Sequence, residues 1–126
     1  MTCWISLTTN MILYCKNWEE TVKFYKDGLS LPVNFINHWF VEFCLTENSR
    51  LSIANEQMST MKSPADKGIT IALQVKDIDV AWETAMKKKL EPTKIKPHPW
   101  NARVFYLFDP EGHRLEIWQL HKQAEK

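Results

Sequence analysis

Asp109-Pro110-Glu111-Gly112-His113-Arg114-Leu115-Glu116-Ile117-Trp118-Gln119 contains both a turn and the strand that leaves it. Proline in second place fixes φ, glycine in fourth tolerates a positive one, and the Asp109 side chain can bond the backbone ahead of it. Residues 109–112 therefore read as a tight turn. Residues 104–108 before it and 114–120 after it then form a hairpin. Side chains alternate along the second strand, with Arg114, Glu116 and Trp118 on one face and Leu115, Ile117 and Gln119 on the other. The second set is apolar enough to lie on a helix. The first presents a carboxylate and an indole to whatever lies opposite.

Bulk properties narrow the class. A chain of 126 residues suits one domain, and 44% hydrophobic residues without a long uncharged apolar run describe a globular protein rather than a membrane-spanning or disordered one. Residues 1–14 lack the basic start and small-residue cleavage site of a secretory signal, so a cytoplasmic location is expected. Cys3, Cys15 and Cys44 are odd in number and have no C-x-x-C spacing, which fits reduced thiols better than a disulfide frame. A formal charge of +1 lacks the electrostatic footprint of a nucleic-acid binder. The Lys87-Lys88-Lys89 run reads as the last turn of a helix, complementing its dipole. With three glycines in all, no phosphate-cradling loop is present.

Taken in order, residues 11–15 form a short apolar run, and Asn17 follows as a helix cap with Glu20 at capping-box spacing. Trp18, Val22, Tyr25 and Leu29 recur at helical intervals, a buried stripe ending near Gly28. Strands are expected at 35–36, 39–45 and 51–54, with Thr46-Glu47-Asn48-Ser49 turning between the last two. Residues 57–67 are polar, carry Pro64 and lack sustained periodicity, so they read as a linker. The opening pattern then repeats. At an offset of 60 residues Leu13 meets Leu73, Lys16 meets Lys76 and the cap Asn17 meets Asp77, while Trp18, Val22 and Tyr25 meet Ile78, Trp82 and Ala85. Strands at 93–96, 104–108 and 114–120 complete a second copy of a βαβββ unit. The expected fold class is α+β, with one module over 8–56 and another over 68–120.

The phrase Phe-Asp-Pro-Glu-Gly-His-Arg-Leu-Glu-Ile at 108–117, with Pro99-Trp100 upstream, resembles the closing hairpin of the vicinal-oxygen-chelate superfamily. That superfamily contains glyoxalases, extradiol dioxygenases, fosfomycin-resistance enzymes and bleomycin-resistance proteins. The resemblance covers roughly residues 8–120 and implies two paired βαβββ modules whose sheets curve around one pocket. It also implies four metal-ligand positions, usually His or Glu, which fall here on Asn10, Ser52, Thr70 and Glu116. Only Glu116 is a good ligand; an amide and two hydroxyls make a poor cage for zinc or for a hard cation. His113 stands three residues from Glu116, an odd spacing that sends the two to opposite faces. His98 lies between Pro97 and Pro99, as in an exposed rigid segment, and His38 falls in a variable region. No metal and no cofactor are therefore expected, and no nucleophile–base kit is evident.

Alternation places Asn10, Ile12 and Tyr14 on the pocket side of the first strand, with Thr70, Ala72 and Gln74 as counterparts. Phe40, Glu42 and Cys44 share one face of a later strand, and Ser52 and Ala54 one face of the next. Arg114, Glu116 and Trp118 close the lining. A carboxylate beside an indole can hold a cation by charge and by the ring quadrupole. Trp18 and Trp82 read as core. Trp39, Trp100 and Trp118 read equally as packing or as ligand contacts, and Glu42 and Glu116 either face a ligand or pair with Arg103 or Arg114. The expected function is metal-independent binding of an aromatic or cationic small molecule, similar to the bleomycin-resistance branch, which sequesters drugs or toxins without chemistry. That branch implies a homodimer. The alternatives are a metal-dependent lyase or dioxygenase using Glu116, and a non-catalytic interaction or scaffold domain. Neither nucleic acid nor membrane is an expected partner.

Overall fold

In the computed structural model the described residues are 7–60, 62–63, 69–99 and 101–120. Trp100, Gly68, Pro64 and part of the expected linker lie outside them. The chain divides into two units, Met1–Ala65 and Asp66–Lys126. The first contains β1 (Thr9–Cys15), α1 (Trp18–Lys23), β2 (Val33–Ile36), β3 (Phe40–Thr46) and β4 (Ser49–Asn55). The second contains β5 (Thr70–Gln74), α2 (Ile78–Lys87), β6 (Lys96–His98), β7 (Ala102–Phe108) and β8 (Arg114–Leu120). Each unit is a four-stranded sheet, ordered β1-β4-β3-β2 in one and β5-β8-β7-β6 in the other. In both, the outer pair β1/β4 or β5/β8 is parallel and the remaining pairs are antiparallel. The fold is α+β, built as βαβββ twice.

Each sheet has a helix-facing side. In the first unit it carries Leu13, Cys15, Val41, Phe43, Leu51 and Ile53, all buried, with Tyr25 from the helical segment 6.1 Å from the Phe43 ring centre. In the second it carries Ile71, Phe105, Leu107, Leu115 and Ile117, with Ile78 and Ala85 buried from α2. These runs alternate with the residues of the other face, which is why strand rather than helix wins there despite high apolar content.

Local chemistry departs from expectation at several places. Asn17 makes no side-chain cap; its carbonyl instead accepts from the Thr21 amide at 3.0 Å and the Thr21 hydroxyl at 2.7 Å. The capping box with Glu20 is therefore absent. After Lys23 the helix widens into a π-type turn over Phe24–Gly28, where the Leu29 amide reaches the Phe24 carbonyl at 2.9 Å. Widening rotates the stripe, so Thr21 and Tyr25 are buried while Trp18, Val22 and Leu29 are half-buried. Asp77 does cap its helix, accepting from the amides of Asp79 and Val80 at 3.1 Å.

Trp18 and Trp82 are anchors at the core's margin rather than core, both half-buried. Each indole N–H donates at 2.8 Å to a carbonyl, Ile53 for Trp18 and Thr93 for Trp82. The strand expected at 93–96 forms at Lys96–His98 instead. Thr93 acts as a separate clip, exchanging bonds of 3.0 and 2.8 Å with the Tyr106 backbone. Pro97 is tolerated because β6 is an edge strand, where its missing N–H costs no ladder bond. His98 is consequently half-buried with its ring 6.5 Å from that of Tyr106, not on an exposed rigid segment. Trp39 precedes its strand, in a bend where the Asn37 side chain accepts from its amide at 2.9 Å.

Candidate functional site

The turn that opens the hairpin forms as its residues dictate. Gly112 has φ 95°, and its amide donates to the Asp109 carbonyl at 2.9 Å. The Asp109 carboxylate accepts from the amides of Glu111 and His113, each at 2.9 Å, and lies 2.8 Å from Nδ1 of His113. Both side chains of this pair are fully buried. Nε2 of His113 has no hydrogen-bond partner among the described residues. His113 thus belongs to the turn and not to the ligand face of β8.

This turn sets the register of β7 on β8, pairing Phe108 with Arg114, Tyr106 with Glu116 and Val104 with Trp118. On the other side of β8, Thr70 pairs with Arg114, Ala72 with Glu116 and Gln74 with Trp118. Paired residues share a face, so one surface of the second unit gathers these nine positions. Arg114 is fastened on it by Nε to the Thr70 hydroxyl at 3.1 Å and by its guanidinium lying 4.9 Å from the Tyr106 ring centre. Glu116 is half-buried between Ala72 and Tyr106 and has no hydrogen bond or ion pair among the described residues. Arg103 lies on the opposite, helix-facing side, where it makes a two-pronged bond to Asp79 at 2.9 and 3.0 Å. That bond holds the Asp79 carboxyl below its usual range and raises the Arg103 guanidinium.

The equivalent face of the first unit pairs Asn10 with Arg50, Ile12 with Ser52 and Tyr14 with Ala54. Phe40, Glu42 and Cys44 lie beyond them on β3. Ser52 is fully buried and donates to Asn10 Oδ1 at 2.8 Å. Glu42 is satisfied within the unit: Asn34 donates to it at 2.6 Å, and Arg50 Nε stands 3.6 Å away. Neither Glu42 nor Glu116 pairs with Arg103 or Arg114. The Phe40 ring touches Trp39 (centroids 5.4 Å apart) and Phe35 (6.4 Å), an aromatic group at the Tyr14–Ala54 end of the face. Cys15 is buried on the helix side and Cys44 is half-buried on the face; both are free thiols.

The four positions carried over for a metal make two diagonal pairs, Asn10 with Ser52 and Thr70 with Glu116. Their donor chemistry does not fit an ion. Asn10 Oδ1 is bonded to a hydroxyl, and Thr70 Oγ1 to a guanidinium whose positive charge opposes a cation. Among the described residues no three His, Cys, Asp or Glu side chains gather to hold one. A cleft of about 290 Å³ opens elsewhere, beside Lys16, Glu19, Glu20 and Asn55. Its charged side chains are exposed and give a ligand little desolvation.

Tyr106, Arg50 and Asn34 are missing from the residues that sequence reasoning singled out. Tyr106 was recoverable, since the 109–112 turn fixes the hairpin register and places it opposite Glu116. Asn34 was not, because the register shift between Val33 and Phe35 is invisible in the sequence.

Comparison with known proteins gives a consistent picture. The sequence model of the Glyoxalase/Bleomycin resistance protein/Dioxygenase superfamily matches residues 6–117. The uncharacterized protein YraH of Bacillus subtilis (strain 168) is 25% identical over 122 residues, 86% of this chain and 94% of its own length. Among solved structures, lactoylglutathione lyase from Agrobacterium tumefaciens superposes with a TM-score of 0.74 at 16% identity, over 92% of this chain and 95% of that one. TnmS3, an antibiotic binding protein from Streptomyces sp. CB03234, gives 0.76 at 15% identity, over 94% and 99%. At these identities the two structures establish the fold alone.

Proposed function

We propose, for a chain that belongs to the glyoxalase/bleomycin resistance protein/dioxygenase superfamily, that it is a metal-independent binding protein for an aromatic or cationic small molecule. The observation that carries this reading is Glu116, a half-buried carboxylate beside Tyr106 and Trp118 without a protein partner among the described residues. A carboxylate removed from much of its water attracts a cation, and neighbouring ring faces add quadrupole attraction. The aromatic group of Trp39, Phe40 and Phe35 supplies a further surface for a planar ring. The donor chemistry at Asn10, Ser52 and Thr70 argues against the superfamily's metal-dependent reactions. Sequestration of a drug or toxin is the biological use that fits, as the printed description of TnmS3 suggests by analogy.

A cytoplasmic homodimer is part of the same reading. Supporting it are the free thiols of Cys15 and Cys44 and the exposed Val33, Phe35 and Ile36 on edge strand β2. The test pairs metal analysis with ligand titration. Purified protein incubated with Zn²⁺, Ni²⁺, Mn²⁺ or Fe²⁺ should retain no stoichiometric metal, in the wild type or in Glu116→Ala. Phenethylamine should quench indole fluorescence in the wild type and lose affinity in Glu116→Gln. Stoichiometric metal lost in Glu116→Ala would replace this reading with a metal-dependent lyase or dioxygenase.

A further inference from the structure

The two units carry an arginine at the same place in the sheet, and they use it differently. Arg50 pairs across from Asn10 in one, and Arg114 across from Thr70 in the other. Arg50 is fully engaged by its own unit. Its Nη1 donates to the carbonyls of Thr46, Glu47 and Ser49 at 3.1, 3.0 and 3.3 Å, and its Nε faces Glu42. Arg114 is held as firmly, but only through Nε and the face of its guanidinium. Its two terminal nitrogens have no acceptor among the described residues. Glu116 stands two residues along the same strand and the same face, about 6.6 Å away at the backbone. The two opposite charges are not joined: Arg114 is drawn aside by Thr70 and Tyr106.

From this arrangement we infer that the second unit's face receives a small zwitterion, an amino-acid-like compound with a carboxylate and an ammonium close together. The inference rests on the binding reading above and adds the anionic half of the ligand. The carboxylate would take both free nitrogens of Arg114 in a two-pronged bond, and the ammonium would meet Glu116. The prior fixing of the guanidinium by Thr70 and Tyr106 reduces the side-chain freedom lost on binding. The first unit is the internal control, since its arginine and glutamate neutralise each other and it offers no such pair.

Three probes that differ only in charge test this: phenylalanine, phenethylamine and 3-phenylpropionate, titrated calorimetrically into the whole chain. Phenylalanine should bind about tenfold tighter than either singly charged probe, the ordinary gain from one charge-assisted contact. Arg114→Gln should bring phenylalanine down to the level of phenethylamine without weakening phenethylamine. Glu116→Gln should bring it down to 3-phenylpropionate. Arg114→Lys, which keeps charge but loses the fork, should fall between wild type and Arg114→Gln, and circular dichroism of each variant checks folding. If phenethylamine binds through Glu116 but phenylalanine binds no tighter, the zwitterion inference is overturned and the binding reading stands. If no probe binds, or binding ignores both substitutions, both are overturned.

Discussion

Replacing Asp109 by alanine removes every side-chain acceptor from the turn that joins β7 to β8. Three contacts are lost, from the amides of Glu111 and His113 and from Nδ1 of His113. The Glu111 amide is partly exposed and can turn to water. The His113 amide and ring are fully buried and cannot. Two buried donors without acceptors at about 1–3 kcal/mol each give an expected loss of about 2–6 kcal/mol. Against a total stability of about 5–15 kcal/mol for a typical domain, that is a large fraction. Asp109→Asn separates the causes. Its amide oxygen still accepts from the backbone, and its NH₂ can donate to Nδ1 if the imidazole moves its proton to Nε2, so the loss should be only about 1 kcal/mol. Urea denaturation of the three proteins at neutral pH, followed by far-UV circular dichroism, measures both differences. A loss below about 1 kcal/mol in Asp109→Ala would refute the view that this carboxylate organises the hairpin.

Phe43, fully buried against Tyr25, should cost about 3–5 kcal/mol when truncated to alanine, read by the same denaturation. Trp82→Phe keeps most of the ring but leaves the Thr93 carbonyl without its 2.8 Å donor, and should lose about 1 kcal/mol. The Asp79 carboxyl lies below its ordinary value of 3.8 in the folded chain because Arg103 hydrogen-bonds to it. Its contribution is therefore present above that value and is lost as pH falls through the depressed one. Melting temperatures of wild type and Arg103→Gln should converge on acidification across that range, slightly, since Asp79 is exposed; parallel curves would show that the pair contributes nothing.

Much of the site was legible because strands have a period of two and tight turns have demanding chemistry. Pro110 and Gly112 locate one turn, the turn sets a register, and the register puts Arg114, Glu116 and Trp118 on one face with Thr70, Ala72 and Gln74 beside them. The 60-residue repeat carries the same logic to Asn10, Ser52 and Glu42. What misled the reading were features with several local solutions. Asn17 and Asp77 are both good capping residues, yet only Asp77 caps. The π-type turn after Lys23, the clip at Thr93 and the shift in β2 each depend on what the segment packs against.

By itself, then, the chain's pattern of apolar alternation, turn residues and internal repeat determined the βαβββ architecture and the face each strand residue occupies. Those signals are local and repeat every two or four residues. Which charges remain open was decided only by tertiary structure. Arg50 and Arg114 occupy equivalent places, and nothing in their neighbouring residues says that one will close on turn carbonyls and Glu42 while the other leaves its terminal nitrogens and Glu116 unjoined. Partner choice among polar side chains turns on distances of a few tenths of an ångström across strands far apart in sequence. The sheet must be assembled before those distances exist.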